Sequence, residues 1–119
     1  MVETDTPGHQ VEIASNLLVE HRHPHCKWCV LDCKSTSVTI IFPEPILISG
    51  YALVSANDCL KRGPSEWTVL CDGMEMDYRN MCECPWKEGF ESISFQLRMP
   101  RESSRVTFNF LNNFGDPHF

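Results

Sequence analysis

The residues best suited to chemistry in this sequence lie in one short stretch, from His21 to Cys33. Its Cys-x-x-Cys pair has the spacing of a zinc knuckle, and Zn²⁺ prefers four tetrahedral thiolate or imidazole ligands. Four side chains of this stretch are the candidate ligands: His25, Cys26, Cys29 and Cys33. Zinc binding is one interpretation. The other is that cysteines in a reducing compartment stay free and pack as small apolar residues.

The cysteines and histidines do not predict an enzyme. A redox Cys-x-x-Cys works at a helix N-terminus, where the helix dipole lowers the thiol pKa, and the surrounding sequence lacks a βαβ pattern. Nucleophilic catalysis needs a cysteine or serine with a histidine and an orienting acid, and no spacing favours such a set. Asp58, Asp72 and Asp77 are better explained by turns than by a glycosidase pair. We expect a non-catalytic protein, with a zinc-binding or thiol enzyme ranked third among the possible functions.

Composition limits the partners and the location of the protein. The chain has 119 residues, with 10 Lys and Arg against 16 Asp and Glu, and a net charge of -6. An acidic chain repels phosphate backbones, so we expect no nucleic-acid partner. No apolar run approaches the ~20 residues that cross a bilayer, so we expect no membrane span. Seven cysteines, an odd number, and an acidic N-terminus without a secretory signal predict an intracellular, cytoplasmic protein.

Short stretches in which apolar and polar residues alternate predict the β-strands that must position these residues. Ser37 to Phe42 alternates, and Pro43-Glu44-Pro45 interrupts the pattern because proline has no amide hydrogen to donate. Ile46 to Ser55 is more apolar, which predicts a strand buried on both faces. Three further strands are predicted: Trp67 to Cys71, closed by the turn Asp72-Gly73; Ile93 to Met99, ended by Pro100; and Arg105 to Leu111.

Several short strands without long helices between them predict an all-β protein with a single jelly-roll-like β-sandwich. We assign residues 11–119 to this domain and residues 1–10 to a disordered N-terminal tail. The predicted core consists of apolar residues within the strands: Val38, Ile40, Phe42, Leu53, Val69, Phe95 and Phe108.

The segment from Ile48 to Leu70 resembles the galactose-binding-like domains, the discoidin or coagulation-factor C-type β-sandwiches. The resemblance rests on Tyr51-Ala52-Leu53-Val54-Ser55-Ala56-Asn57-Asp58, on the basic loop through Arg62, and on Trp67 at the start of the next strand. Two departures stand out. Gly63 occupies the position of a common aspartate, and Val19 to His23 replaces the acidic loop that helps to bind a structural calcium in many members.

In such domains the loops at one end of the sandwich form the recognition surface, for carbohydrate, lipid or protein ligands. The resemblance therefore implies that the loops His21 to Cys33 and Asn57 to Glu66 are candidates, since aromatic faces stack on sugar rings and polar side chains supply directional hydrogen bonds. Trp86, in an irregular stretch with several methionines, is expected to be exposed. The candidate ligand-binding residues are His21, His23, Trp28, Asn57, Asp58, Arg62 and Trp86.

Structural explanations stand beside several of these candidates. Asn57 and Asp58 fit a turn in which they bond their own backbone, with Arg62 paired to Asp58. Trp28 falls where the related domains bury a tryptophan.

Two functions remain, in the order in which the sequence favours them. A protein-interaction module comes first, because intracellular members of the superfamily tend to be scaffold or adaptor subunits and methionine-rich surface suits protein partners. A glycan-binding module is the alternative. A glycan site needs an exposed aromatic ring beside convergent polar groups, whereas a protein-binding module should show an apolar patch or an open strand edge.

Overall fold

The computed structural model of the chain describes residues 2–4, 35–55 and 63–115, and every regular element in these ranges is a β-strand. The strands are β1 (Val2–Thr4), β2 (Thr36–Val54), β3 (Pro64–Cys71), β4 (Met74–Asn80) and β5 (Ser92–Asn113). All pairings are antiparallel, in the order β1-β2-β5-β3-β4. The predicted all-β class is confirmed. Within these ranges no helix has the length and apolar character to cross a membrane.

Strand β1 lies inside the segment that the sequence assigns to a disordered tail. Val2, Glu3 and Thr4 pair with Ile40, Thr39 and Val38 of β2. Ladder pairing satisfies backbone hydrogen-bonding groups of these three residues. The other residues of 1–10 lie outside the described part of the chain, and the domain boundary at residue 11 stays a prediction.

The long strands β2 and β5 bend so that the sheet forms two layers. The first layer consists of β1, β3, β4, residues 36–41 of β2 and residues 105–113 of β5, and the second consists of residues 46–54 of β2 and 92–103 of β5. The first half of β2 pairs with the second half of β5, up to Ile41 and Arg105, and pairing resumes only at Ile46 and Ser103. Pro43-Glu44-Pro45 lies in that gap, as expected because its two prolines cannot donate to the ladder. A second irregularity separates the pairs Ile48–Arg101 and Gly50–Gln96 and contains Pro100. The predicted proline breaks are therefore bends within long strands.

Aromatic rings hold the two layers together. Phe95 of the second layer stacks on Tyr51 at 5.4 Å and meets the edge of Trp67, in the first layer, at 5.2 Å between ring centroids. Tyr51 also contacts Phe108 edge-on at 5.3 Å. Such offset and edge-to-face pairs stabilise a core beyond their buried area. The buried apolar residues are Val38, Trp67, Val69, Cys71, Trp86, Phe95, Leu97, Val106, Phe108 and Phe110.

The predicted core is largely confirmed. Val38, Val69, Phe95 and Phe108 are buried, whereas Ile40, Phe42 and Leu53 are partly buried and pack against the core. The interpretation of Ile46 to Ser55 as a strand buried on both faces is wrong, because Leu47 is 65% exposed and Val54 is 57% exposed. The second layer packs against the first through one face only, and its other face carries these side chains.

The Asp72-Gly73 turn joins β3 to β4, as predicted. Asp72 has φ 50° and Gly73 has φ 83°, and positive φ at both central residues is the requirement of a type I′ hairpin turn. The Asp72 carboxylate accepts hydrogen bonds from the backbone amides of Ser104 and Arg105. These bonds fix the turn against the bend of β5. A hydrogen bond from the Ser103 side chain, together with these backbone bonds, holds the pKa of Asp72 below its usual range.

Gly50 provides a test of the close approach between β2 and β5. A Cβ built on Gly50 would lie 2.6 Å from the carbonyl oxygen of Phe95. Because that atom belongs to the backbone, it cannot move aside without disturbing the ladder. We expect Gly50→Ala to lower the free energy of unfolding by roughly 1–3 kcal/mol, measured by urea denaturation. The control is Ser49→Ala, at the exposed neighbouring position, which should change the value by less than about 0.5 kcal/mol.

Candidate functional site

The strand register brings the ends of the described segments to one end of the sandwich. Thr4 pairs with Val38, so β1 runs toward the beginning of β2, while β3 begins opposite Asn113 and β4 ends opposite Glu66. Strand β2 returns to this same end after its bend, since Ser55 bonds to the loop that follows β4. We call this end the loop end, defined by Thr4, Ser35, Ser55, Gly63, Asn80 and Asn113. The opposite end carries the Asp72-Gly73 turn and both bends.

Both loops singled out from the sequence are joined to the framework at the loop end. The stretch His21 to Cys33 falls between Thr4 and Ser35, and Asn57 to Arg62 falls between Ser55 and Gly63. Most of the predicted site residues therefore lie outside the described residues: His21, His23, His25, Cys26, Trp28, Cys29, Cys33, Asn57, Asp58 and Arg62. Their predicted roles stay predictions.

Ser55 fixes the point where β2 ends. Its backbone amide donates to the Glu91 carbonyl at 2.9 Å and its carbonyl accepts from the Phe90 amide at 3.2 Å. Its hydroxyl donates to the Glu88 carbonyl and accepts from the Glu91 amide. Four hydrogen bonds on one small residue therefore bind the end of β2 to the loop of residues 81–91.

Ser65 fixes the start of β3 in the same way. Its hydroxyl donates to the Asn113 carbonyl at 2.9 Å, and its carbonyl accepts from the Met81 amide at 2.7 Å. The residues on both sides of the Asn57 to Arg62 segment are thus anchored to other elements. Flanking residues that are already fixed lose little conformational entropy themselves when a ligand binds.

Trp86 anchors the 81–91 loop to the core. Its side chain is 3% exposed, and its indole N–H donates to the Leu53 carbonyl at 3.2 Å. The expected exposure of Trp86 is wrong, because the loop folds back and inserts the ring into the sandwich. The ring therefore does not offer a free face for a sugar or a partner, and its proposed ligand contact has no support in this geometry.

A network of polar side chains lies between the layers, at the edge strand β4. The Tyr51 hydroxyl donates to Asp77 at 2.5 Å and accepts from the Trp67 indole N–H at 2.8 Å. Arg79 pairs with Asp77 at 3.0 Å and donates to the Gln96 carbonyl at 3.1 Å. Burial and the bond to Asp77 raise the pKa of Tyr51 well above its usual range. The network joins β4 to the second layer, which is a structural role.

A separate cluster of hydrogen-bonded polar side chains lies on the outer face of the first layer, next to the loop end. The Tyr78 hydroxyl donates to one carboxylate oxygen of Glu66 at 2.5 Å, and the Asn112 side-chain amide donates to the other at 2.6 Å. The Asn80 amide donates to the Tyr78 hydroxyl at 3.5 Å. The Tyr78 side chain is 49% exposed. We call these four residues the Tyr78 cluster.

Sequence reasoning missed the Tyr78 cluster. Its members come from three strands and are brought together only by the pairings Glu66–Asn80 and Glu66–Asn112. One sequence feature pointed to it: Tyr78 and Asn80 are two residues apart and so lie on the same face of β4. This spacing identifies a cluster only when the strands that pair with β4 are known.

Within residues 35–55 and 63–115, no three His, Cys, Asp or Glu side chains are grouped in a way that could hold a metal ion. Cys82 is exposed, and the Cys84 thiol donates to the Trp86 carbonyl at 3.3 Å. The predicted zinc ligands lie outside these ranges. Burial raises the pKa of the Cys71 thiol, which therefore stays protonated and unreactive inside the core.

Among known proteins, the chain is similar to solved structures that share its fold. No family model matches the sequence, and no curated protein matches it. The fold is similar to CpGH89CBM32-5 from Clostridium perfringens, solved with GalNAc-β-1,3-galactose, at a TM-score of 0.75 and 10% identity, covering 99% of this chain and 87% of that one.

Two further solved structures show the same similarity. The family 32 carbohydrate-binding module of Streptococcus pneumoniae EndoD matches at a TM-score of 0.75 and 15% identity, with coverage of 98% and 86%. The family 32 module of C. perfringens NanJ, solved with galactose, matches at a TM-score of 0.70 and 11% identity, with coverage of 99% and 85%. The predicted resemblance is confirmed at the level of fold: the chain is similar in fold to these modules, which have the galactose-binding-like, discoidin-type β-sandwich.

Proposed function

We propose that this protein is a non-catalytic saccharide-binding module that recognises its ligand at the loop end. The observation that carries the proposal is the anchoring of that end, where Ser55, Ser65 and Trp86 bind the loop bases to the framework. A fold shared with modules named for carbohydrate binding supports the same function. This reverses the order suggested by the sequence, which placed protein interaction before glycan binding.

The residue types in the two loops suit a sugar. Trp28 offers a ring that can stack on the apolar face of a pyranose. Asn57, Asp58 and Arg62 offer donors and acceptors for its hydroxyl groups, and His21 and His23 add imidazole groups. Recognition of a sugar by such side chains depends on ring stacking and hydrogen bonds and needs no catalytic group.

A glycan array probed with the full chain tests the proposal. We expect binding to a restricted set of saccharides, and Arg62→Ala should weaken binding by roughly 10-fold or more, since a hydrogen bond to a charged group contributes about 1.5–3 kcal/mol. Arg98→Ala is the matched control, because Arg98 is an exposed arginine at the bend of β5, remote from the loop end. An array without any bound saccharide would refute the function, and equal binding by both variants would refute the assigned residues.

Protein interaction stays a second candidate because three apolar side chains outside the loop end are exposed. Leu47 is 65% exposed, Met99 is 67% exposed and Met74 is 53% exposed. Arg101 lies beside one of them, since its guanidinium donates to the Met74 sulfur. A partner captured from cell extract by the wild type and lost with Leu47→Ser, while saccharide binding persists, would support this function.

Zinc binding and an intracellular location are further proposals that stand on the sequence. Elemental analysis of protein purified without added metal measures zinc per chain. Alkylation under non-reducing conditions, followed by mass spectrometry, counts the free thiols expected for a reducing compartment.

A further inference from the structure

We propose that the Tyr78 cluster is a second saccharide platform, on the outer face of β3, β4 and β5, which accepts uncharged or amino sugars and rejects acidic sugars. The ligand class rests on the proposed function, whereas the location rests on described residues that sit on strands rather than on loops. The platform is formed by residues of strands, whereas the loop-end site is formed by residues of loops.

The ring of Tyr78 is available and held in place. Its side chain is 49% exposed, while its hydroxyl is bonded to Glu66 and receives a bond from Asn80. A tyrosine tied at its hydroxyl keeps one ring orientation, so little rotamer entropy is lost when a ligand stacks on it. An exposed, oriented ring beside convergent polar groups is the feature that a glycan site requires.

The polar groups around the ring form a row across three strands. Asn80, Glu66 and Asn112 are register partners on β4, β3 and β5, and neighbouring strands lie about 4.8 Å apart, so the row spans roughly 10 Å. Asn80 and Asn112 are both exposed. Each side-chain amide uses one N–H in the cluster and has a second N–H and a carbonyl oxygen with which to bind sugar hydroxyl groups.

The next row on the same face extends the polar surface. Thr68 pairs with Tyr78 on one side and with Asn109 on the other, and Thr68 shares the face of Glu66 because side chains two residues apart in a strand point the same way. The surface beside the ring therefore carries mainly hydroxyl and amide groups, with the 39% exposed Leu111 next to Asn112. Such a surface suits a polar ligand better than an apolar protein partner.

Glu66 gives the platform its charge preference. Hydrogen bonds from Tyr78 and Asn112 hold the pKa of Glu66 below its usual range, so it is a carboxylate at neutral pH. Both of its oxygens accept bonds within the cluster, and the net charge of the whole chain is -6. A uronate or sialate placed here would meet a like charge, whereas an ammonium group on an amino sugar would meet an opposite one.

Nuclear magnetic resonance of the full chain tests the platform. Side-chain amide signals of Asn80 and Asn112 report on the platform, and backbone amides of Ser55 and Glu91 report on the loop end. The probes are galactose oligomers, chitosan oligomers and galacturonic acid oligomers. We expect galactose or chitosan oligomers to shift the Asn80 and Asn112 signals, and galacturonic acid oligomers to leave them in place.

Variants distinguish the contribution of the Tyr78 ring to saccharide binding from that of the Glu66 carboxylate. Tyr78→Ala should remove these shifts and weaken binding at the platform by about 10-fold, because stacking and its buried area together contribute about 1–2 kcal/mol. Tyr78→Phe keeps the ring and should bind within a few-fold of the wild type. Glu66→Gln should strengthen the binding of galacturonic acid oligomers, and Met99→Ala, which alters an exposed side chain outside the cluster, should change nothing.

The outcomes distinguish the platform from the proposed function. Shifts confined to Ser55 and Glu91, with Tyr78→Ala binding like the wild type, would overturn the platform and leave the loop-end site standing. Shifts confined to Asn80 and Asn112 would support the platform and overturn the loop-end location. Binding of no probe, with an array that is also empty, would overturn both. Equal binding of neutral and acidic oligomers at the platform would overturn its charge preference.

Discussion

Replacing Trp67 by alanine is expected to lower the free energy of unfolding by about 3–5 kcal/mol. The side chain is 0% exposed and lies between the layers, edge-on to Phe95. Its indole N–H also donates to the Tyr51 hydroxyl, so truncation leaves both a cavity and a half-buried hydroxyl without its donor. Because domains of this size have only about 5–15 kcal/mol of stability, the variant should unfold at much lower urea concentration.

Two further variants separate packing from hydrogen bonding. Trp67→Phe retains an aromatic ring and loses the N–H, so we expect a smaller loss, about 1–3 kcal/mol. Combining it with Tyr51→Phe in a double-mutant cycle isolates the bond between the two side chains. Met99→Ala, at a side chain that is 67% exposed, controls for any general effect of truncation. A Trp67→Ala loss below about 1 kcal/mol would mean that the layers do not meet at this ring.

The strands were predictable wherever alternation reports on one buried face. In β3, Trp67, Val69 and Cys71 are buried and their neighbours are not, and the second half of β5 repeats the pattern with Val106, Phe108 and Phe110. Period-2 hydrophobicity therefore identified the core side of the first layer.

The two-layered sandwich was predicted, but the number of covered faces of each strand was not predictable, because composition alone does not give it. Ile46 to Val54 is apolar enough for a doubly buried strand, yet Leu47 and Val54 are exposed on the outer side of the second layer. Proline signals were likewise ambiguous. Pro43 and Pro100 interrupt hydrogen bonding as expected, but a missing donor can end a strand or bend it, and here long strands continue beyond the bends.

The candidate sites show the same limit at the level of side chains. The candidate loop-end residues could be named from the sequence because they form local runs with recognisable types, such as Asn57-Asp58 before Arg62. The Tyr78 cluster could not be found in this way, since Glu66 and Asn112 are 46 residues apart and become neighbours only through the β3–β5 pairing. Cross-strand constellations depend on register, which a single sequence specifies only indirectly.

Trp86 was misassigned for a related reason. The stretch from Asp72 to Gly89 has no hydrophobic period, so the ring had no predicted face and was placed at the surface. In the structure, residues 81–91 carry no regular element, and the loop is held by Trp86 in the core and by the bonds around Ser55. An isolated aromatic residue in an irregular loop can thus be the anchor of that loop.

Trp86→Ala is expected to release the 81–91 loop and to lower the free energy of unfolding by about 3–5 kcal/mol. The 3% exposed ring fills the core beneath the loop end, and its loss leaves the Leu53 carbonyl without the indole donor. Hydrogen exchange should show the effect first at the Phe90 and Glu91 amides, whose bonds to Ser55 depend on the loop lying in place.

The same variant connects the anchor to recognition at the loop end. Since Ser55 precedes the Asn57 to Arg62 segment, freeing the loop should weaken saccharide binding on the array even where Trp86 touches no ligand. Lys87→Ala removes an exposed neighbouring side chain and should leave stability within about 0.5 kcal/mol and exchange at Glu91 unchanged. If Trp86→Ala left the exchange of the Phe90 and Glu91 amides unchanged, the loop would be held by its hydrogen bonds alone, and the burial of the ring would not be what prepares this end of the sandwich for binding.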